Sequence, residues 1–184
     1  MEITKTAVSE NEKDLRERIR FLTQTYSQGV LVEEFIVGRE ITAILLEGLN
    51  KKVYLAEKVF NKPDEKYIFA TFEDQWVSKI YDTYHYEKYE DILLKEYVRR
   101  AFEITKMYDY GKFDVRVDLS GRYFFIDANA NPAFGPKETL CAISVILDLY
   151  NITFEEILKR LLLNTMRDAV GRERLPATGN GNTT

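Results

Sequence analysis

The stretch DVRVDLSGRYFFIDAN, Asp114 to Asn129, carries two carboxylates thirteen positions apart, with an amide two positions beyond the second. Folded about Ser120-Gly121 as a two-residue turn between β-rich runs, an antiparallel register pairs Leu119 with Arg122, Val117 with Phe124 and Asp114 with Asp127. Alternation then places Phe113, Val115, Val117 and Leu119 on one apolar face with Phe124, Ile126 and Ala128. Asp114, Asp127 and Asn129 fall on the other. Directly opposed Cβ atoms are about 4.5–5.5 Å apart, so two carboxylates and an amide oxygen can converge on one hard cation, and without a cation they repel. Magnesium suits such a set, with manganese as an alternative, because it takes few protein carboxylates and shares its sphere with phosphate oxygens at roughly 2.0–2.1 Å. One Cys and one His are too few for a nitrogen/sulfur zinc site. The competing explanation is a solvated hairpin face that happens to carry Asp residues, and Asp118 near the turn is expected to be such a residue.

A second acidic set lies upstream. Val30 to Ile36 is a short apolar run interrupted by Glu33 and Glu34, Ile41 to Leu46 is another, and Gly38 is the turn residue between them. Acidic side chains in a buried strand are costly unless a partner is supplied. A purine amine or a sugar diol would serve. Taken alone, the segment fits better an edge strand with Glu33 or Glu34 in water.

Together the two segments resemble ATP-grasp ligases of the D-alanine–D-alanine ligase type, without a gap from Asp114 to Pro132 and again from Leu31 to Glu40, where Glu33 and Glu40 keep the family spacing of seven. The resemblance covers nearly all of the chain to about residue 165. It implies that Asp114, Asp127 and Asn129 hold magnesium ions bridging the ATP phosphates. It also implies that Glu33 accepts the adenine amino group, that the backbone around Glu34, Phe35 and Ile36 reads the ring edge, and that Glu40 bonds the ribose hydroxyls. Lys112 stands where the family usually has Arg and is the expected catalytic cation. It would stabilise an oxyanion as a point charge without the Arg fork, although a Lys at a strand start facing solvent is the plain alternative. The implied reaction is ATP-dependent carboxylate–amine ligation, in which an amine attacks an acylphosphate to give an amide.

Several positions depart from the family pattern. Asp127 replaces a Glu, Gln75 fills a lid position that commonly carries Lys, with Lys79 as a substitute, and Ala133 to Glu138 replace the Gly/Ser-rich loop that holds the substrate carboxylate. D-alanine as acceptor is therefore not implied, and the acid and amine substrates stay open. The family's lysine-bearing strand and phosphate-covering Gly-rich loop would precede Met1. The expectation is a carboxy-terminal portion of a ligase that is a poor catalyst alone, with a partner chain or a homo-oligomer completing it and an exposed apolar patch along that side. A non-catalytic nucleotide- or metal-binding module and a degenerate structural fragment are the alternatives, separated by MgATP binding and ADP release.

The elements that must position these residues imply an α+β fold, an antiparallel sheet flanked by helices like the carboxy-terminal ATP-grasp subdomain, over residues 1–170. Ser9 with Glu12 suggests a capping box ahead of a helix striped by Leu15, Ile19, Leu22 and Tyr26. Strands are expected at 30–36, 40–47 and 52–59, and helices at 89–107, 138–149 and 153–170, the last capped by Thr153 with Glu156. From Gly171 the Gly/Asn/Thr-rich composition predicts a disordered tail. His85 is expected to be structural or at the surface. Cys141, in the apolar run Leu140–Leu149, is expected as a packed residue rather than a nucleophile, and it can form no intrachain disulfide.

At 184 residues and 45% hydrophobic the chain can bury a real core. A net charge of −4 offers no electrostatic case for nucleic acid or an anionic membrane. Without an apolar run of transmembrane length or a signal-peptide core, a cytoplasmic location is expected.

Overall fold

The computed structural model describes residues 4–48, 51–61, 65–71, 74 and 83–173, with the side chains of the last helix described to residue 167. Five strands form one antiparallel sheet: β1 Gly38–Leu46, β2 Lys52–Phe60, β3 Tyr84–Tyr89, β4 Tyr110–Asp118 and β5 Tyr123–Asn129, in the order β3-β2-β1-β4-β5. Four α-helices are described: α1 Glu12–Tyr26, α2 Ile92–Ile104, α3 Ala142–Leu149 and α4 Phe154–Glu173. Central β1 is buried on both faces from Ile41 to Leu46, which its apolar run requires. One sheet face packs on α2 through Ile41, Leu45, Leu55, Val98, Phe102 and Phe113. The other packs on α3 and α4 through Ile44, Leu46, Tyr54, Ile143, Ile146 and Ile157. Alternation along β1 supplies both layers.

The hairpin carrying the acidic residues differs in detail from expectation. Its loop has three residues, not two: the Asp118 N–H donates to the Arg122 carbonyl at 3.1 Å and the Gly121 N–H to the Asp118 carbonyl at 3.0 Å, with Gly121 at φ +82. This geometry pairs Val117 with Tyr123 and Val115 with Phe125. A bulge between Val115 and Asp114 then restores the register, so Asp114 does face Asp127 and Lys112 faces Asn129. The face of Phe113, Val115 and Val117 is therefore shared by Tyr123, Phe125 and Ala128, although Phe125 and Ala128, like Leu119 and Ile126, are exposed.

Other boundaries move for local reasons. Residues 30–36 are not a strand, because both edges of β1 are taken by β2 and β4 and the segment is left without a ladder partner. Asn11, not Ser9, caps α1, its Oδ1 accepting from the Asp14 N–H at 3.0 Å. Part of the expected 89–107 helix is strand to Tyr89, and Asp91 caps α2 by accepting from the Leu94 N–H. A 3₁₀ turn at Lys137–Thr139 precedes α3. The Thr153–Glu156 capping box forms as expected, with reciprocal bonds of 2.9 and 3.2 Å. Helix α4 runs on to Glu173, so Gly171–Glu173 are helical and only the rest of the expected tail lies outside the described residues. Gln75 and Lys79 also lie outside them. His85 is exposed and pairs with Glu87, and Cys141 is a half-buried free thiol packed against the second core.

Candidate functional site

At its open end, the sheet face that carries α3 and α4 is polar rather than apolar. One cross-sheet row runs Asp127, Asp114, Thr42, Ala56, Lys88, each paired with the next. The adjoining row holds Phe124, Arg116 and Glu40, then Lys58 opposite Tyr86. Because strand side chains alternate, Glu40 and Thr42 on β1 and Lys112, Asp114 and Arg116 on β4 point to the same side.

Asp114 and Asp127 share the Lys112 ammonium, which makes a close contact with Asp114 and lies 3.6 Å from Asp127. Thr42 Oγ1 donates to the other Asp114 oxygen at 3.0 Å and fixes its orientation. Asn129, paired with Lys112 across the hairpin, accepts the Asn131 N–H at 2.9 Å on its side-chain oxygen, which retains a second lone pair. Among the described residues no three His, Cys, Asp or Glu side chains converge. A cation here would have two carboxylates and the Asn129 oxygen, leaving positions for phosphate oxygens and water, as magnesium prefers. The ammonium already between the carboxylates marks this spot as one where positive charge is favourable.

Glu40 is 8% exposed and doubly engaged, by Lys58 at 2.6 Å and by Arg116 at 3.2 Å. Burial alone would lower the Lys58 pKa, but Tyr86, Glu40 and Asp114 outweigh it and hold the ammonium above the ordinary lysine range. Burial likewise pushes the Tyr86 hydroxyl up. Asp118 is not a freely solvated carboxylate. It accepts from the Arg122 N–H, the Ser120 N–H and hydroxyl, and Arg122 Nε, all within 2.9 Å, and organises the hairpin loop.

The structure thus brings Lys112, Asp114, Asp127, Asn129 and Glu40 to one face. Glu33 and Glu34 are exposed on the irregular segment that leads to Phe35 and Ile36, and both of the latter are held by Arg116. Sequence reasoning missed Thr42, Lys58 and Arg116. Arg116 had a signal, since it alternates with Asp114 in DVRVD, whereas Lys58 sits in a strand that gave none. Two cavities among the described residues, of about 320 Å³ and 290 Å³, are lined by residues such as Gly135, Lys137 and Phe154, and Lys5, Glu10 and Tyr67, away from Asp114.

Solved ligases share this architecture. A Bacillus anthracis D-alanine–D-alanine ligase, in a structure complexed with ATP, superposes with a TM-score of 0.61 at 17% identity, covering 88% of this chain and 50% of the ligase. D-alanyl-alanine synthetase A from Vibrio cholerae gives 0.64 at 17% identity, covering 86% and 47%. These likenesses define the fold as the carboxy-terminal ATP-grasp subdomain. Residues 5–162 match the family described as D-ala D-ala ligase C-terminus, and the chain belongs to that family. An uncharacterized Sinorhizobium fredii protein, y4sG, is 28% identical over 123 residues, which cover 64% of this chain and 36% of that protein. The chain spans about half the length of the solved ligases and 36% of y4sG. Among the described residues, no helix is long and apolar enough to cross a membrane.

Proposed function

We propose that this chain forms the nucleotide- and magnesium-binding floor of an ATP-dependent carboxylate–amine ligase that makes an amide through an acylphosphate. The observation that carries the proposal is the placement of Asp114 directly opposite Asp127 on the face that also bears Glu40, with one cation already between the two carboxylates. In this reading Asp114, Asp127 and Asn129 hold magnesium, Glu40 bonds the ribose hydroxyls, and Glu33 with the backbone of Glu34 and Ile36 takes the adenine. Bound magnesium would neutralise charge between the phosphate oxygens during transfer. Lys112 would release Asp127 and turn toward the developing oxyanion. ATP use is supported by the ATP complex of the Bacillus anthracis relative.

A second lobe or partner chain covering the phosphates belongs to the proposal, as do a small carboxylate and an amine as substrates. Exposed Leu31, Val32 and Val37 on the nucleotide segment and Ile126 on the hairpin are apolar groups that such a cover would bury. Calorimetric titration with ATP, in magnesium and in excess chelator, tests the core of the reading. Magnesium should tighten binding, and Asp114→Asn and Asp127→Asn should each remove most of that gain, while Asp118→Asn leaves it. Magnesium-independent binding, or none, refutes the site. ADP release on adding candidate acids and amines separates a ligase from a binding module.

A further inference from the structure

Arg116 does more than pair with Glu40. It is 5% exposed, and each of its five N–H donors has an acceptor: Nε the Ile36 carbonyl at 2.6 Å, Nη1 Glu40 and the Ile68 carbonyl at 3.2 Å each, Nη2 the Gly38 carbonyl at 3.1 Å and the Ile68 carbonyl at 3.2 Å. The guanidinium also lies 4.8 Å from the Phe35 ring centroid, and Phe35 makes edge contacts with Tyr67 and Phe69. One side chain therefore ties two stretches of irregular backbone to β4, two residues from Asp114. A segment without a ladder partner would otherwise fluctuate. A planar fork can hold several carbonyls in fixed directions, which a lysine point charge cannot.

We propose that Arg116 is a positioning residue for the nucleotide base. By fixing the carbonyls of Ile36 and Gly38 and stacking on Phe35, it sets the backbone of residues 34–38 before any ligand arrives. It also references that base-reading edge to Glu40 and Asp114 on the sheet. Ordering the edge in advance removes an entropic cost from binding and fixes which base edge is accepted. The inference rests on the reading that MgATP occupies this cleft.

The readout is base discrimination, the ratio of MgATP to MgGTP affinity by competition titration, because a general loss of fold or charge lowers both affinities together. In the unaltered chain ATP should be preferred, and a ratio already near one overturns the positioning role. Arg116→Lys, which keeps a charge beside Glu40 but loses the fork, should lower ATP affinity about tenfold and bring the ratio close to one. Phe35→Leu, which removes the stacked ring from the other side, should move the ratio the same way. It decides the matter if Arg116→Lys fails to give a cooperative melt. An unchanged ratio in the folded variants overturns the positioning role and leaves the proposed function standing. Failure of the unaltered chain to bind MgATP overturns both.

Discussion

Replacing Lys112 with Met isolates the electrostatics of the acidic pair. Lys112 Nζ is 3.6 Å from Asp127, whose side chain is 56% exposed. At that distance a unit pair is worth about 5 kcal/mol at an effective dielectric of about 20 and about 1 kcal/mol in water. Exposure of Asp127 favours the lower figure. Asp114 is 18% exposed and closer to the ammonium, so its share is larger. A metal entering between the carboxylates must displace both contacts, at a cost of about 2 kcal/mol after solvent screening. Lys112→Met should therefore bind manganese or magnesium roughly thirtyfold more tightly in the absence of nucleotide, measured by manganese electron paramagnetic resonance with magnesium competition. Two opposed carboxylates would be left uncompensated in the metal-free variant, so its Tm should fall at low ionic strength and recover on adding magnesium. Equal metal affinity in the two proteins would refute the argument that the ammonium stands where the ion goes.

Thr42→Val removes the 3.0 Å bond that orients Asp114, and a loss of about 1 kcal/mol should appear as a several-fold weaker manganese affinity in the same assay. Gly38→Ala would put a Cβ 2.0 Å from the Val117 carbonyl oxygen at a residue with φ +155. It should cost more than about 2 kcal/mol in urea unfolding, and a shift of a few tenths would show that β1 and β4 can separate cheaply there. The Asp118 pKa is held well below the carboxylate range, chiefly by the Arg122 N–H, against the opposing effect of burial, with Ser120 and the Arg122 side chain adding further bonds. A depressed folded pKa contributes stability above the unfolded value of about 3.9 and loses it as pH falls toward the folded one. Asp118→Asn should therefore lower Tm at neutral pH, with the difference from the unaltered chain closing below about pH 4. A pH-independent gap would refute that assignment.

The acidic pair was legible in the sequence because two local errors cancel. A three-residue loop moves the hairpin register by one, the bulge beside Asp114 moves it back, and a uniform two-residue hairpin predicts the same Asp114–Asp127 partnership. Neither feature is visible in the alternation of apolar residues, so the faces assigned to Phe124, Phe125 and Ile126 came out shifted while the site did not. Glu40 was legible only through the resemblance, whose spacing of seven from Glu33 picks it out; the structure then places it on the face of Thr42 and Asp114. Residues 30–36 defeated sequence reasoning because a β-rich composition states a propensity, and whether a strand forms depends on an open sheet edge. One edge of β1 is claimed by the next strand, β2, and the other by β4 from far along the chain. The α1 cap was misplaced by two residues because Ser9 and Asn11 both offer an oxygen and only the chain's entry angle chooses between them.

Charges on the floor are balanced in number but not in place. Glu40 is met by two cations, Lys58 and Arg116, while Asp114 and Asp127 share one, Lys112. The cleft therefore has a positive end at Glu40 and a negative end at the acidic pair. A magnesium–nucleotide complex has the matching polarity when its metal lies at the acidic pair and its phosphates extend toward the cations. Nucleotide without metal would place phosphate oxygens against Asp114 and Asp127, and free metal must first displace Lys112. The arrangement thus favours the two arriving together. Accordingly, magnesium and ATP should bind with positive coupling, each tightening the other by the same factor. Lys112→Met, which removes the barrier to free metal, should reduce that factor.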